Sequence, residues 1–232
     1  MIEFFFDCSS PWTYLAFHNI QPLAADLNEP ISWRPILVGG IFNSVNPSVY
    51  AMRENPVPAK RDYMLKDLQD WTRQANLKIV MPPKVFPVNS VKAMRGCIWL
   101  DQQDVAGSES DSLNAPQNSP SNGPPKSPPK SPHSGTQMVK FAAAVFEAYW
   151  SREEDISQDA VLADICEATG INVRAFFDGI AQQSIKDQLK ANTEEVIRRG
   201  GFGSPTMFVG DDMYFGNDRL SLVRSAVLLE RR

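Results

Sequence analysis

Three small side chains, Cys8, Ser9 and Ser10, stand between an apolar run that ends at Asp7 and a Pro11 after which Trp12, Tyr14, Leu15 and Phe17 begin a helical pattern. A strand feeding directly into a helix is a place where reactive groups are often built. Two chemistries are on offer there, a hydroxyl and a thiol. Ser10 immediately before proline is ordinary capping chemistry, because its oxygen can accept a first-turn N–H and Pro11 has none to leave unpaired. Cys8 is the local thiol and would be a nucleophile only as the thiolate. The three cysteines, Cys8, Cys97 and Cys166, are widely separated and form neither a CxxC pair nor a metal-ligand spacing. Cys97 and Cys166 therefore read as small buried apolar side chains, and Cys8 differs from them only in its neighbours.

The junction needs elements to hold it. "MIEFFFD" reads as a buried strand, residues 11 to 27 as the helix that follows, and "ISWRPIL" as a second strand, giving a β-α-β opening with parallel strands. After Gly39 and Gly40 the texture changes to helices and loops. Amphipathic patterns run through Met64 to Ala75, Asn89 to Leu100 with Asn89 or Ser90 as cap, Met138 to Trp150, Ala160 to Ala168 with Gly170 behind it, and Val173 to Leu189. "NTEEVIRRG" reads as a short capped helix. "GFGSPTMFVG" and "MYFG" then form a hairpin turned at "DD", and "NDRLSLVRSAVLLE" closes the chain as an amphipathic helix.

This order predicts an α/β fold: a discontinuous thioredoxin-like domain from residues 1–38 and 190–232, interrupted by a helical insertion over 39–189. Inside the insertion, residues 102–137 carry seven Pro and eight Ser without an aromatic residue. Such a stretch cannot bury enough apolar area to order itself, so it reads as a disordered surface loop. Deleting residues 104 to 134 is expected to change little.

The chain has 232 residues, 43% of them hydrophobic, and a formal net charge of −4. It can bury a core, and its charge suggests neither a nucleic-acid surface nor a polybasic membrane anchor. No run approaches the roughly 18 apolar residues that span a bilayer. With no secretory leader pattern and an odd set of cysteines, the expectation is a soluble protein of a reducing compartment, the cytoplasm or an organelle lumen.

Four separated segments, "FFFDCSSPWTYLAF", "WRPILVGGIFNSVN", "PAKRDYMLKDLQDW" with "FPVNSVKAMR", and "GGFGSPTMFVGDDMYFGNDRLSLV", carry a resemblance that spans nearly the whole chain outside 102–137. The sequence resembles the 2-hydroxychromene-2-carboxylate isomerase family, relatives of the kappa-class glutathione transferases with a DsbA-type helical insertion in a thioredoxin-like domain. "SPWT" matches the tetrad that is CxxC in the thiol-disulfide oxidoreductases of this fold. The resemblance thus implies that Ser10 takes the nucleophile's place and Thr13 its partner's, and that Ser10 acts on the thiol of glutathione. A helix N-terminus, with free N–H groups and a partial positive charge, favours thiolate over thiol, and the Ser10 hydroxyl adds a hydrogen bond.

The resemblance further implies a cis Pro205 with the backbone of Ser204 pairing with the cysteinyl part of glutathione. It implies Asn217 and Asp218 at its γ-glutamyl end, and Asn46 and Lys60 at glutathione or substrate. Two positions depart from the family: Asn43 stands where many isomerases have a lysine, and "NSVN" replaces a Gly-Asn pair, both on the substrate side. The implied activity is a glutathione-dependent cis-trans isomerisation of a small unsaturated aromatic acid, with glutathione as cofactor and a homodimer as the family's usual state. Two alternatives stand beside it, a kappa-class-like transferase and a DsbA-like thiol oxidoreductase or binding module relying on Cys8. Trp12, Phe42 and Phe86 could wall the substrate or simply belong to the core.

Overall fold

A computed structural model of the chain describes residues 1–113 and 135–231. The chain opens as read, with β1 (Ile2–Phe6), α1 (Pro11–Leu27) and β2 (Ile31–Pro35). Seven helices follow: α2 (Val38–Val45), α3 (Ser48–Glu54), α4 (Pro58–Gln74), α5 (Val91–Leu113), α6 (Gln137–Trp150), α7 (Asp159–Ala168) and α8 (Val173–Ala181). Then come α9 (Gln183–Arg198), β3 (Thr206–Val209), β4 (Asp212–Phe215), a 3-10 turn at Asn217–Arg219 and α10 (Leu220–Glu230). Among the described residues no strand falls between β2 and β3.

The four strands make one mixed sheet in the order β2-β1-β3-β4. β1 runs parallel to β2, with Phe4 opposite Trp33, and antiparallel to β3, with Phe4 opposite Met207. Because side chains alternate across a strand, β1 buries aromatics on both faces. Phe4 and Phe6 join Phe17 of α1 and Phe146 of α6 in a core that continues into α4, α5, α7 and α8. Phe5 turns the other way, onto Phe208, Ile36, Ile41 of α2 and Val196 of α9. On that second face Glu3 pairs with Arg199 at 2.8 Å, and the Arg199 guanidinium lies 3.6 Å from the centre of the Phe208 ring.

The change of texture read after Gly39 and Gly40 is the start of the helical region, and both glycines lie in the first turn of α2. Three expectations need correction. The single helix expected over Val173 to Leu189 breaks at Gln182, and "NTEEVIRRG" is the second half of α9. Asn192 and Thr193, which suited a cap, serve tertiary contacts instead: Asn192 Nδ2 donates to Pro35 O at 3.0 Å, and Leu37 N donates to Thr193 Oγ1 at 3.0 Å. The residue 189/190 boundary thus falls within α9. The hairpin turns at Gly210 and Asp211, with Gly210 at φ +58°, a conformation natural to glycine.

The third concerns residues 102–113, which α5 carries on as helix to Leu113. The reason lies partly at Asp104, whose two carboxylate oxygens accept Gln137 N at 3.2 Å and Met138 N at 3.0 Å and so close the N-terminus of α6. Residues 114–134 of the Pro/Ser-rich stretch lie outside the described residues.

Candidate active site

The turn between β1 and α1 is built by Asp7 and Ser10. Ser10 sits at the N-cap with extended φ and ψ, and its Oγ accepts the Thr13 N–H at 3.3 Å. The same hydroxyl donates to the Ser204 carbonyl at 3.1 Å, across 194 residues of sequence. Asp7 fixes the loop from below. Its carboxylate accepts Ser9 N at 2.9 Å and Val38 N at 2.8 Å, and it receives a further bond from the Ser90 side chain. Burial pushes the Asp7 carboxyl above its ordinary value, with hydrogen bonds from the Ser9 and Val38 backbone and from the Ser90 and Ser9 side chains opposing it.

Ser204 is locked to the same turn by two further bonds. Its Oγ accepts Asp7 N at 3.0 Å and lies 2.8 Å from Thr13 Oγ1. The Ser204–Pro205 bond is cis, as are Met81–Pro82 and Phe86–Pro87. Gly216 N donates to Pro205 O at 3.2 Å, which brings the 3-10 turn at Asn217 beside the loop. Asn217 is buried, accepts from Asn19 Nδ2 at 2.9 Å, and leaves its own Nδ2 without a partner among the described residues. In the first turn of α1 no described group accepts the Trp12 N–H.

The other expected residues are spread around this centre. Asn46 Nδ2 donates to Phe202 O at 3.0 Å, two residues before Ser204. Asp218 pairs with its neighbour Arg219 at 2.7 Å on the surface. Lys60 lies exposed in the first turn of α4 without a side-chain partner among the described residues, and no contact brings it to Ser10. The Phe42 ring approaches Gly203, where a Cβ would meet it at 4.0 Å. Trp12 and Phe86 are half-buried against the main core.

Cys8 is fully buried, its carbonyl accepts Trp150 Nε1 at 2.8 Å, and burial drives its thiol well above the ordinary value. Cys97 and Cys166 are buried too, the latter pushed up to about 12 by the same cause. No thiol of the chain is poised for exchange at neutral pH. Sequence reading missed Asp7 and Asn19. Asp7 left one signal, a carboxylate closing an otherwise apolar strand.

A helix N-terminus with an N–H unpartnered among the described residues and a hydroxyl at its cap can hold an anionic sulfur. The sequence profile of the DSBA-like thioredoxin domain family matches residues 1–114 and 132–228. The chain belongs to that family. Within it, the chain is 26% identical to 2-hydroxychromene-2-carboxylate isomerase of Pseudomonas sp. (strain C18), over 98% of this chain and 90% of that one. It is 24% identical to glutathione S-transferase kappa 1 of Homo sapiens, over 96% and 88% of the two chains. A solved structure of 2-hydroxychromene-2-carboxylate isomerase superposes with a TM-score of 0.72 at 25% identity, covering 100% of this chain and 96% of that one. The expected resemblance and the thioredoxin-like fold with inserted helices both hold. The first turn of α1 carries Ser10 and Thr13, and the chain holds no CxxC pair.

Proposed function

We propose that the chain is a glutathione-dependent isomerase of the 2-hydroxychromene-2-carboxylate type, interconverting 2-hydroxychromene-2-carboxylate and trans-o-hydroxybenzylidenepyruvate in the breakdown of aromatic hydrocarbons. The observation that carries this reading is the Ser10 hydroxyl, set at the N-terminus of α1 beside the Ser204 carbonyl in a chain whose own thiols are buried.

The residues present fit glutathione. At the end of α1 stand a hydroxyl and the Trp12 N–H, and among the described residues neither that N–H nor the buried Asn217 Nδ2 has a partner. Glutathione, when bound, supplies a thiol that as thiolate can add reversibly to the double bond of an unsaturated 2-oxo acid, making that bond free to rotate. Ser10 lowers the free energy of the thiolate by turning its O–H from Ser204 O to the sulfur. The Ser204 backbone pairs with the cysteinyl unit, beside the cis Pro205. Asn217 and Asp218 hold the γ-glutamyl end, Asp218 by its negative charge toward an ammonium. Asn46 and Lys60 would hold the glycyl end or the substrate acid. Trp12, Phe42 and Phe86 exclude water around the reacting carbons.

The test is glutathione-dependent equilibration of 2-hydroxychromene-2-carboxylate with its trans isomer, followed by absorbance. Ser10→Ala should lower turnover by about 10²-fold or more while Cys8→Ala retains it. Loss of activity in Cys8→Ala with retention in Ser10→Ala would show the site to be misassigned. The likeness to the kappa transferases supports a second reading, in which the conjugate is released. Product analysis with a halonitroaromatic electrophile separates the two.

A further inference from the structure

Arg53 stands in the last turn of α3, and no carboxylate among the described residues lies within ion-pair distance of it. Its guanidinium instead lies 5.6 Å from the centre of the Phe42 ring and 5.2 Å from that of Phe86. Arg53 is exposed, and two ring faces attract its cation without neutralising the charge. Its N–H donors remain available.

Phe42 borders the loop that carries Ser204, and Phe86 is tied toward the Ser10 turn through Val85, Tyr149 and Trp150. Phe42 adjoins Gly203, the residue before Ser204. Phe86 follows Val85, whose carbonyl accepts the Tyr149 hydroxyl at 3.0 Å, and the neighbouring Trp150 is fastened to the Cys8 carbonyl. The unpartnered Asn217 amide lies elsewhere, beside Asn19 of α1 and beyond the cis Pro205.

We infer that Arg53 is the carboxylate anchor of the electrophilic substrate, gripping the acid by paired N–H donors while Phe42 and Phe86 flank its flat, conjugated carbon skeleton. The inference rests on the proposed function and adds a residue to it. The class selected is a planar aryl-conjugated acid, and its neutral amide or ester should be bound without help from Arg53. A guanidinium is suited to this because its fork matches a carboxylate, whereas an ammonium makes only a point contact.

The test is calorimetric binding of trans-cinnamate and trans-cinnamamide to the full chain, alone and with saturating glutathione. Arg53→Met should weaken cinnamate about tenfold or more and leave cinnamamide and glutathione unchanged. Arg53→Lys should recover part of the loss, and equal thermal midpoints would exclude a folding defect. Equal weakening of acid and amide would reduce Arg53 to a ring support and overturn the inference. Weakened glutathione with unchanged cinnamate would assign Arg53 to the glycyl carboxylate, and failure of the parent chain to bind cinnamate would also overturn it. Discrimination of acid from amide through Arg53, found in a protein without glutathione-dependent turnover, would sink the proposed reaction and leave the carboxylate anchor standing.

Discussion

Ser10 uses one oxygen in two directions, accepting from Thr13 N and donating to Ser204 O at 3.1 Å. Stabilising a thiolate requires the hydroxyl proton to leave that carbonyl, so the site depends on the end of α1 keeping its positive character. A direct readout is a thiol placed there. Ser10→Cys should be labelled rapidly by a disulfide probe at pH 7, with an apparent pKa below the ordinary value of about 8.5, whereas the native parent chain should label slowly. Equal labelling of the two would mean that the turn does not activate sulfur. Asp7, buried under the same turn, makes a pH prediction. Its folded value is raised, so between its ordinary and folded values the native state holds more protons than the unfolded one, and stability falls as pH rises through that window. Asp7→Asn removes this dependence. The parent's advantage in thermal midpoint over the variant should therefore shrink as pH rises above the ordinary Asp value of about 4, and an advantage that grew would show the carboxyl to be lowered by its donors.

Among the elements, α9 does work that its pattern concealed. Its Thr193 hydroxyl donates to Leu189 O at 2.8 Å and accepts Leu37 N at 3.0 Å, while Asn192 caps the last carbonyl of β2. These bonds satisfy backbone groups at the point where β2 gives way to α2, the helix that carries Phe42. Thr193→Val keeps the shape and leaves a backbone N–H unpaired. Urea unfolding should show a loss of about 1–3 kcal/mol, and an unchanged midpoint would mean that Leu37 finds another acceptor. Helical periodicity in "NTEEVIRRG" was legible. What the pattern lacked was any sign that two polar side chains were needed by a strand more than 150 residues away, as the 156-residue separation of Leu37 and Thr193 illustrates.

In the molecule as a whole, the sheet and the helices inserted after β2 share one core, since Phe6 and Phe17 pack on Phe146, with ring centres 6.5 Å and 5.1 Å apart. The inserted helices therefore fix the β1–α1 turn from behind, through Trp150 on the Cys8 carbonyl. The same interdependence moves the boundary of what can be removed. Replacing residues 114–134 by about ten Gly/Ser residues should leave the thermal midpoint and turnover nearly unchanged. A deletion that begins at residue 104 also removes the carboxylate holding Gln137 N and Met138 N, and should lower the midpoint by several degrees. Equal midpoints for the two deletions would show the Asp104 cap to be dispensable.

The sequence by itself determined the β-α-β opening, the hairpin and closing helix, and the place of Ser10, because each is written in local signals: alternation, a helical period, Ser before Pro, glycine at a turn. Only the tertiary structure decided that Ser10 meets Ser204, that Asp7 is a buried acceptor tying β1 to α2, that Asp104 caps a helix beyond the Pro/Ser-rich stretch, and that Arg53 lies near two rings with no counter-ion among the described residues. Those facts depend on which polar groups are brought within hydrogen-bonding distance after the apolar faces pack. Spacing along the chain carries no record of that, since a buried donor takes whichever acceptor the fold delivers.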